Sequence, residues 1–456
     1  MIQRLIYILI AFTFLTGILT ACSESDDLVG HDYYDNVPVR IRPMIKEGIE
    51  YEITTSRSTG PFEKWSDNPS HWLNADFYTY ALETNNFMGG EANYQNVSEV
   101  MDHQLMRIQN VNGELKFLDN SGKPEEKYYS KWRARRFKFF TYYTDDAKLG
   151  ECIRMKTKIT QPVNINGHQD LMHGFAYHTD QELSLLISRM PNNDETKIFT
   201  NGNEGRDYLY SGMSGNRGIH PQFHLKHLLT RFNVEVRGIM GEKDKKYSFL
   251  QVLIDSVAIV APSNGTITIA NDLWNDEETY NKAFENREIL TWDNEMKPYG
   301  LDIKTQKMTN SAYLPNVDFE SLRQQVEAMG ILSTKTYHQV NSMDSKSLCD
   351  PILLPSVDST LVIVLGYRHI YYDQDEAGNW IVNQEKTRDS QWRQPYVLSL
   401  PKELRPYKPG ATYTIQIKIY GPEQISIDVL NGEHWKPGGD VDIDTETDDR
   451  NINILQ

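Results

Sequence analysis

Apolar and polar residues alternate with period two in many short segments of this chain, and that pattern commits each segment to a β-strand with one face turned inward. In ATYTIQIKIYG, Tyr413, Ile415, Ile417 and Ile419 share a face; the chain turns at Gly421 and returns through Ile425, Ile427 and Val429. DFYTYAL sets Phe77, Thr79 and Ala81 against Tyr78, Tyr80 and Leu82, as expected of a sandwich strand. FHLKHLLTRFNVEV starts alternating at Phe223 and Leu225, changes phase across Leu228 and Leu229, and resumes through Phe232, Val234 and Val236. The phase change predicts a β-bulge, and Arg231, Asn233 and Glu235 are expected on the opposite, solvent side of an edge or sandwich strand.

Turn chemistry extends the pattern. Asn112-Gly113, inside MRIQNVNGELKFL, suits the positive φ angles of a two-residue hairpin, and Asn264-Gly265 predicts a second hairpin between Leu253–Val260 and a return strand through Ile269. TLVIVLGYRHIYY reads as a central strand, with DQDEAGN as the tip before a returning strand through Trp380 and Val382. One helix is expected, capped by Asp318 and running to Met329, with Phe319, Leu322, Val326 and Met329 on one face. Residues 271 to 350 are otherwise the least legible part. The 26 tyrosines and scarce helical patterns make all-β the natural class, and 456 residues are enough for two or three domains. The chain reads as two similar β bodies: 37–219 and 220–445.

A net charge of -16 excludes a nucleic-acid partner, which would require clustered Lys and Arg. The run Arg133, Arg135, Arg136 is a solvated face in this acidic context. At the N-terminus, Arg4 precedes an apolar run from Leu5 to Leu19 that ends in Leu-Thr-Ala-Cys, so residues 1–21 read as a lipoprotein signal peptide. Cleavage between Ala21 and Cys22 would leave Cys22 to carry the lipid, palmitate included, with residues 22–36 as an acidic tether. No later apolar run is long enough to span a bilayer. Cys152 and Cys349 fall in different β bodies and specify no disulfide framework.

Catalytic constellations are missing from the sequence. Ser211-Gly212-Met213-Ser214-Gly215 lacks nucleophile-elbow spacing, no phosphate-binding loop is present, and no His/Cys cluster has zinc spacing. His224 and His227, three apart on a strand, point to opposite faces; His227 is expected to be a satisfied histidine at a sheet edge. DQDEAGN departs from a calcium loop at Ala377 and Gln384. The chain is therefore expected not to be an enzyme and to hold no metal or cofactor.

Five segments in order resemble the fimbrillins, lipoprotein-precursor subunits of type V pili. They are the aromatic strand Asp76–Leu82; WRARRFKFFTYY, with Trp132 ahead of Phe139, Phe140, Tyr142 and Tyr143; and Asp170-Leu171-Met172-His173-Gly174. Asp207, Tyr208 and Leu209 lead into Leu225, His227, Leu228 and Leu229, and the terminal Tyr413-x-Ile415-x-Ile417 strand is followed by Trp435. The resemblance implies two tandem transthyretin-like β-sandwiches and a fimbrial subunit or adhesin, lipid-anchored in the outer membrane and surface-exposed. It further implies clipping after an exposed arginine, with Arg57 or Arg42 as candidates, and linkage to other fimbrial subunits by strand addition. The tail 446–456 is the candidate donor strand, with Ile452 and Ile454 on one face. A host or bacterial surface ligand is an additional expected partner. The competing reading is a surface lipoprotein whose sandwiches bind glycan on aromatic platforms.

Overall fold

The computed structural model describes residues 38–43, 74–84, 94–95, 101–109, 115–129, 136–144, 148–177, 210–212, 215, 220–238, 250–304, 319–330, 338–340, 346–356, 360–399, 406–421 and 424–434. These are mostly strands, arranged in four sheets, and the class is all-β. An eight-stranded sheet runs Arg42–Pro43, Gln222–His227, Leu171–Ala176, Arg136–Thr144, Asp76–Thr84, Met101–Ile108, Leu115–Leu118, Pro124–Glu125. In a five-stranded sheet, Thr230–Gly238 lies parallel to Ala411–Gly421, which forms an antiparallel hairpin with Gln424–His434. In a six-stranded sheet, Thr360–Gln374 is central as predicted, between Leu250–Pro262 and Gln391–Ser399. The remaining five-stranded sheet pairs Lys158–Asn164 with Asn264–Asn271.

The aromatic strands are apolar on both sides because the eight-stranded sheet is covered on both sides. Tyr80, Phe140, Tyr142 and Phe175 pack with Ile159, Val163, Ile267, Ile269 and Trp274. Phe140 and Phe175 stack with centroids 5.2 Å apart. The reverse face carries Phe77, Phe139, Tyr143, Met172, Phe223 and Leu225 in a separate cluster. Each such side chain contributes on the order of 1.5–3 kcal/mol by leaving water, so the aromatic stripe is core.

Two expectations need correction. The phase change at Leu228-Leu229 is a corner between sheets. Gln222–His227 ends in the eight-stranded sheet, and Thr230–Gly238 begins in the five-stranded one. Leu228 and Leu229 are both buried because the chain crosses the core there, with Leu228 N–H donating to the Leu171 carbonyl at 2.8 Å and the Leu229 carbonyl accepting from Gly410 at 2.9 Å. Thr230–Gly238 keeps its one-sided alternation, but as an interior strand with partners on both sides. The second correction concerns Asn264-Gly265, which is no hairpin turn. Leu250–Pro262 and Asn264–Asn271 are separated by Ser263 alone and belong to different sheets. Gly265 is needed for close approach instead, since a Cβ there would lie 2.7 Å from both the Thr291 carbonyl oxygen and the Trp292 ring.

Both corners bear on domain organisation. Gln222–His227 pairs with Leu171–Ala176, and Asn264–Asn271 pairs with Lys158–Asn164, so two sheets draw strands from both sides of residue 220. The hairpin Met101–Ile108 with Leu115–Leu118 forms as read, although Asn112-Gly113 lies outside the described residues. The tip at Asp375–Asn379 also forms as read, with Gly378 at φ 82°. Phe319–Ala328 is helical and buries Leu322 and Val326, with Met329 just beyond its end. A second helix, Glu277–Glu285, was not anticipated; Asp276 caps it, accepting from Thr279 N–H at 2.7 Å. Cys152 and Cys349 are both free, and burial pushes the Cys349 thiol up to about 12. Among the described residues no helix is long and apolar enough to cross a membrane.

Candidate functional site

The first described segment, Pro38-Val39-Arg40-Ile41-Arg42-Pro43, alternates in the manner of a strand, and its inward positions close the second face of the eight-stranded sheet. Val39 and Ile41 are 4% and 8% exposed and join the cluster of Phe77, Phe139, Tyr143, Met172 and Phe223. Val39 N–H donates to the Lys127 carbonyl at 2.7 Å, and Pro38 bridges Tyr128 in antiparallel fashion. Arg42 and Pro43 then run parallel to Gln222 and Phe223. Pro43 has no N–H to offer, which suits a strand end. Two small apolar side chains and a short ladder hold the segment, on the order of 3–6 kcal/mol of apolar burial.

Of the residues singled out from sequence, Arg42 lies in this strand with its backbone paired to Gln222. Arg40, which the sequence reading passed over, is the exposed arginine between the two buried anchors, and the alternation around it was the available signal. Ala21, Cys22, Arg57, Ile452 and Ile454 lie outside the described residues.

Beside the strand ladder, buried polar groups join the sheets. His227 Nδ1 lies 2.9 Å from Asp170 Oδ1, and both side chains are fully buried. His227 is thus held by a carboxylate at the end of an interior strand rather than at a sheet edge. Among the described residues no group of three His, Cys, Asp or Glu could hold a metal ion. His224 instead stacks on Tyr177 at 3.8 Å. Arg231 is half-buried, and desolvation favours its neutral form, while Asp170 opposes that by attraction.

His173 is also deeply placed. Its Nε2–H donates to the Ile269 carbonyl at 2.8 Å, and Nδ1 lies 2.9 Å from the Tyr280 hydroxyl. Burial lowers His173 to about 4, against a smaller opposing effect of the Ile269 carbonyl, and burial alone lowers His369 to about 4. A histidine depressed in the folded state stays neutral while its unfolded counterpart takes up a proton below about 6.5. Stability is therefore present above pH 6.5 and falls as pH drops toward 4, by on the order of 3 kcal/mol for each histidine. Urea unfolding at neutral pH and at about pH 5 should show the loss, and His369→Gln should flatten the slope. A slope unchanged in that variant would contradict the assignment.

Among the side chains described, Tyr128 is the one exposed tyrosine, tryptophan or phenylalanine. The other described rings are buried or half-buried.

No family model matches the chain, and no curated protein does. Solved structures similar to it include a "putative cell adhesion protein" from Bacteroides uniformis, at 10% identity and a TM-score of 0.39, covering 88% of this chain and 98% of that one. A second with the same description, from Bacteroides eggerthii, has 9% identity and a TM-score of 0.38 over 88% and 96%. The fimbrial anchor protein Mfa2 from Porphyromonas gingivalis has 8% identity and a TM-score of 0.30 over 87% and 96%.

Proposed function

We propose that this chain is a fimbrial subunit or adhesin with no catalytic activity, exported as a lipoprotein on Cys22 and anchored at the outer surface. The observation that carries this reading is the convergence of its motifs. The strands bearing Leu225 and His227, Leu171 and Met172, Phe139 to Tyr143, and Phe77 to Leu82 are consecutive neighbours in one sheet, and Val39–Pro43 lies at the edge of that sheet. A short N-terminal strand over an apolar face is the arrangement that clipping after Arg42 or Arg57 would act on.

The tail supplies a matching replacement. Ile452 and Ile454 are spaced two apart, as Val39 and Ile41 are, so a neighbour's tail in extended form would present two apolar side chains to a vacated face. Such a pair contributes on the order of 3–6 kcal/mol before ordering costs, so backbone pairing over a longer segment must add to it. Deleting residues 450–456 is expected to abolish polymers on the cell surface while monomers remain folded and exposed; unchanged polymer length would reject the donor role. Cys22→Ser is expected to release the chain from membranes and to abolish fatty-acid labelling. Membrane sedimentation and labelling as in the parent chain would defeat the lipoprotein assignment. The alternative role, glycan binding on aromatic platforms, gains little from a fold in which Tyr128 is the one exposed tyrosine, tryptophan or phenylalanine among the described side chains.

A further inference from the structure

Lys138 sits on the inward face of Arg136–Thr144 with Phe140 and Tyr142, and is 1% exposed. A lysine ordinarily carries its ammonium to water along a flexible stem. Here Nζ donates to Asn275 Oδ1 at 2.5 Å and to the Asp272 carbonyl at 2.8 Å, with Asp272 Oδ1 3.5 Å away. The carboxamide carbon of Asn275 is one C=O bond beyond Oδ1, so it lies within about 3.7 Å of Nζ. That approaches the separation at which positioned groups react.

Asn275 and Asp272 are each held in place by a further contact. Asn275 N–H donates to Thr279 Oγ1 at 3.0 Å, and the Tyr94 hydroxyl donates to Asp272 Oδ1 at 3.4 Å. Trp274, between Asp272 and Asn275, is 2% exposed and packs on Phe140 with centroids 6.1 Å apart. Amine, carboxamide and carboxylate therefore converge beside an apolar wall.

We propose that Lys138 and Asn275 become joined by a side-chain amide bond, with Asp272 carrying the proton. After the ammonium has released one proton to solvent, Nζ attacks Cγ of Asn275. A second proton passes from Nζ to the Asp272 carboxylate and on to Nδ2. The Cγ–Nδ2 bond breaks, ammonia departs, and the Nζ–Cγ bond remains. Nothing is oxidised or reduced, and no further reactant is needed. The product ties the eight-stranded sheet to the segment between Asn264–Asn271 and Glu277–Glu285, closing a covalent loop across residues 137 apart in sequence. A chain under tension at a cell surface would gain a link that strand separation cannot break.

A second buried lysine offers an internal comparison. Lys226 Nζ donates to Asn281 Oδ1 at 2.9 Å, but it lies over the Phe284 ring at 4.8 Å from the centroid and serves as a cation–π contact.

Peptide mass spectrometry on digests of the purified full-length chain tests the proposal. A branched peptide containing Lys138 and Asn275 is expected, lighter by one ammonia than the two linear peptides together. Asp272→Asn and Asn275→Ala should each give only linear peptides. Quantitative recovery of linear peptides from the parent chain would overturn the proposal. So would a branch that persists in Asp272→Asn, or one that joins Lys226 to Asn281 instead.

Discussion

Replacing Asp170 with alanine is expected to lower the unfolding free energy by about 1–3 kcal/mol, the range seen when a buried polar group loses its hydrogen-bond partner. Asp170 leads into Leu171–Ala176 and is fully buried. Its Oδ1 lies 2.9 Å from His227 Nδ1 at the end of Gln222–His227, and it also attracts Arg231 at the start of the next sheet. The carboxylate thus serves the corner at which the chain passes between sheets. Removing it leaves the buried His227 ring without its hydrogen-bond partner and Arg231 without that counter-charge, and a buried polar group deprived of a partner costs more than the partnership contributed. The test is urea unfolding of Asp170→Ala, with Asp170→Leu/His227→Leu as the paired variant that should recover part of the loss. A loss below about 1 kcal/mol in Asp170→Ala would show that the pair does not support the corner.

Strand identity was legible because alternation is a local property. Phe232, Val234 and Val236 point inward whatever their strand pairs with, and DFYTYAL, the Ala411–Gly421 hairpin and the Thr360–Gln374 strand form for the same reason. Sheet membership was not legible, because it depends on partners distant in sequence. The phase change at Leu228-Leu229 looked like a bulge, since bulge and corner both shift parity by one residue. Asn264-Gly265 looked like a turn, yet Gly265 answers to the Thr291 carbonyl and the Trp292 ring. The helix Glu277–Glu285 had a readable cap in Asp276 and Thr279, but its inward residues, Tyr280 and Ala283, are too few for a periodic signal. For the site, the motif strands were recognised singly. That they lie side by side in one sheet, with Val39 and Ile41 against the same cluster, emerged only in three dimensions.

Surface-assembled chains are expected to lack the segment Val39–Arg42 altogether. Among the described residues its hold on the sheet consists of two buried side chains, a hydrogen bond to Lys127, the adjoining Pro38–Tyr128 bridge and the short pairing with Gln222 and Phe223. The sheet behind it is knitted by long antiparallel pairings between Leu171–Ala176, Arg136–Thr144 and Asp76–Thr84, which do not depend on that segment. An on-the-order 3–6 kcal/mol contribution from the strand can be exchanged for a similar one from Ile452 and Ile454 of a neighbour, whereas an intact chain keeps the face occupied.

The N-terminal sequence of chains recovered from surface polymers tests this account most directly. The account predicts a start immediately after an arginine, at Ser58 or at Pro43, with the Val39 and Ile41 strand gone; polymers built from chains that still begin at Cys22 would contradict it.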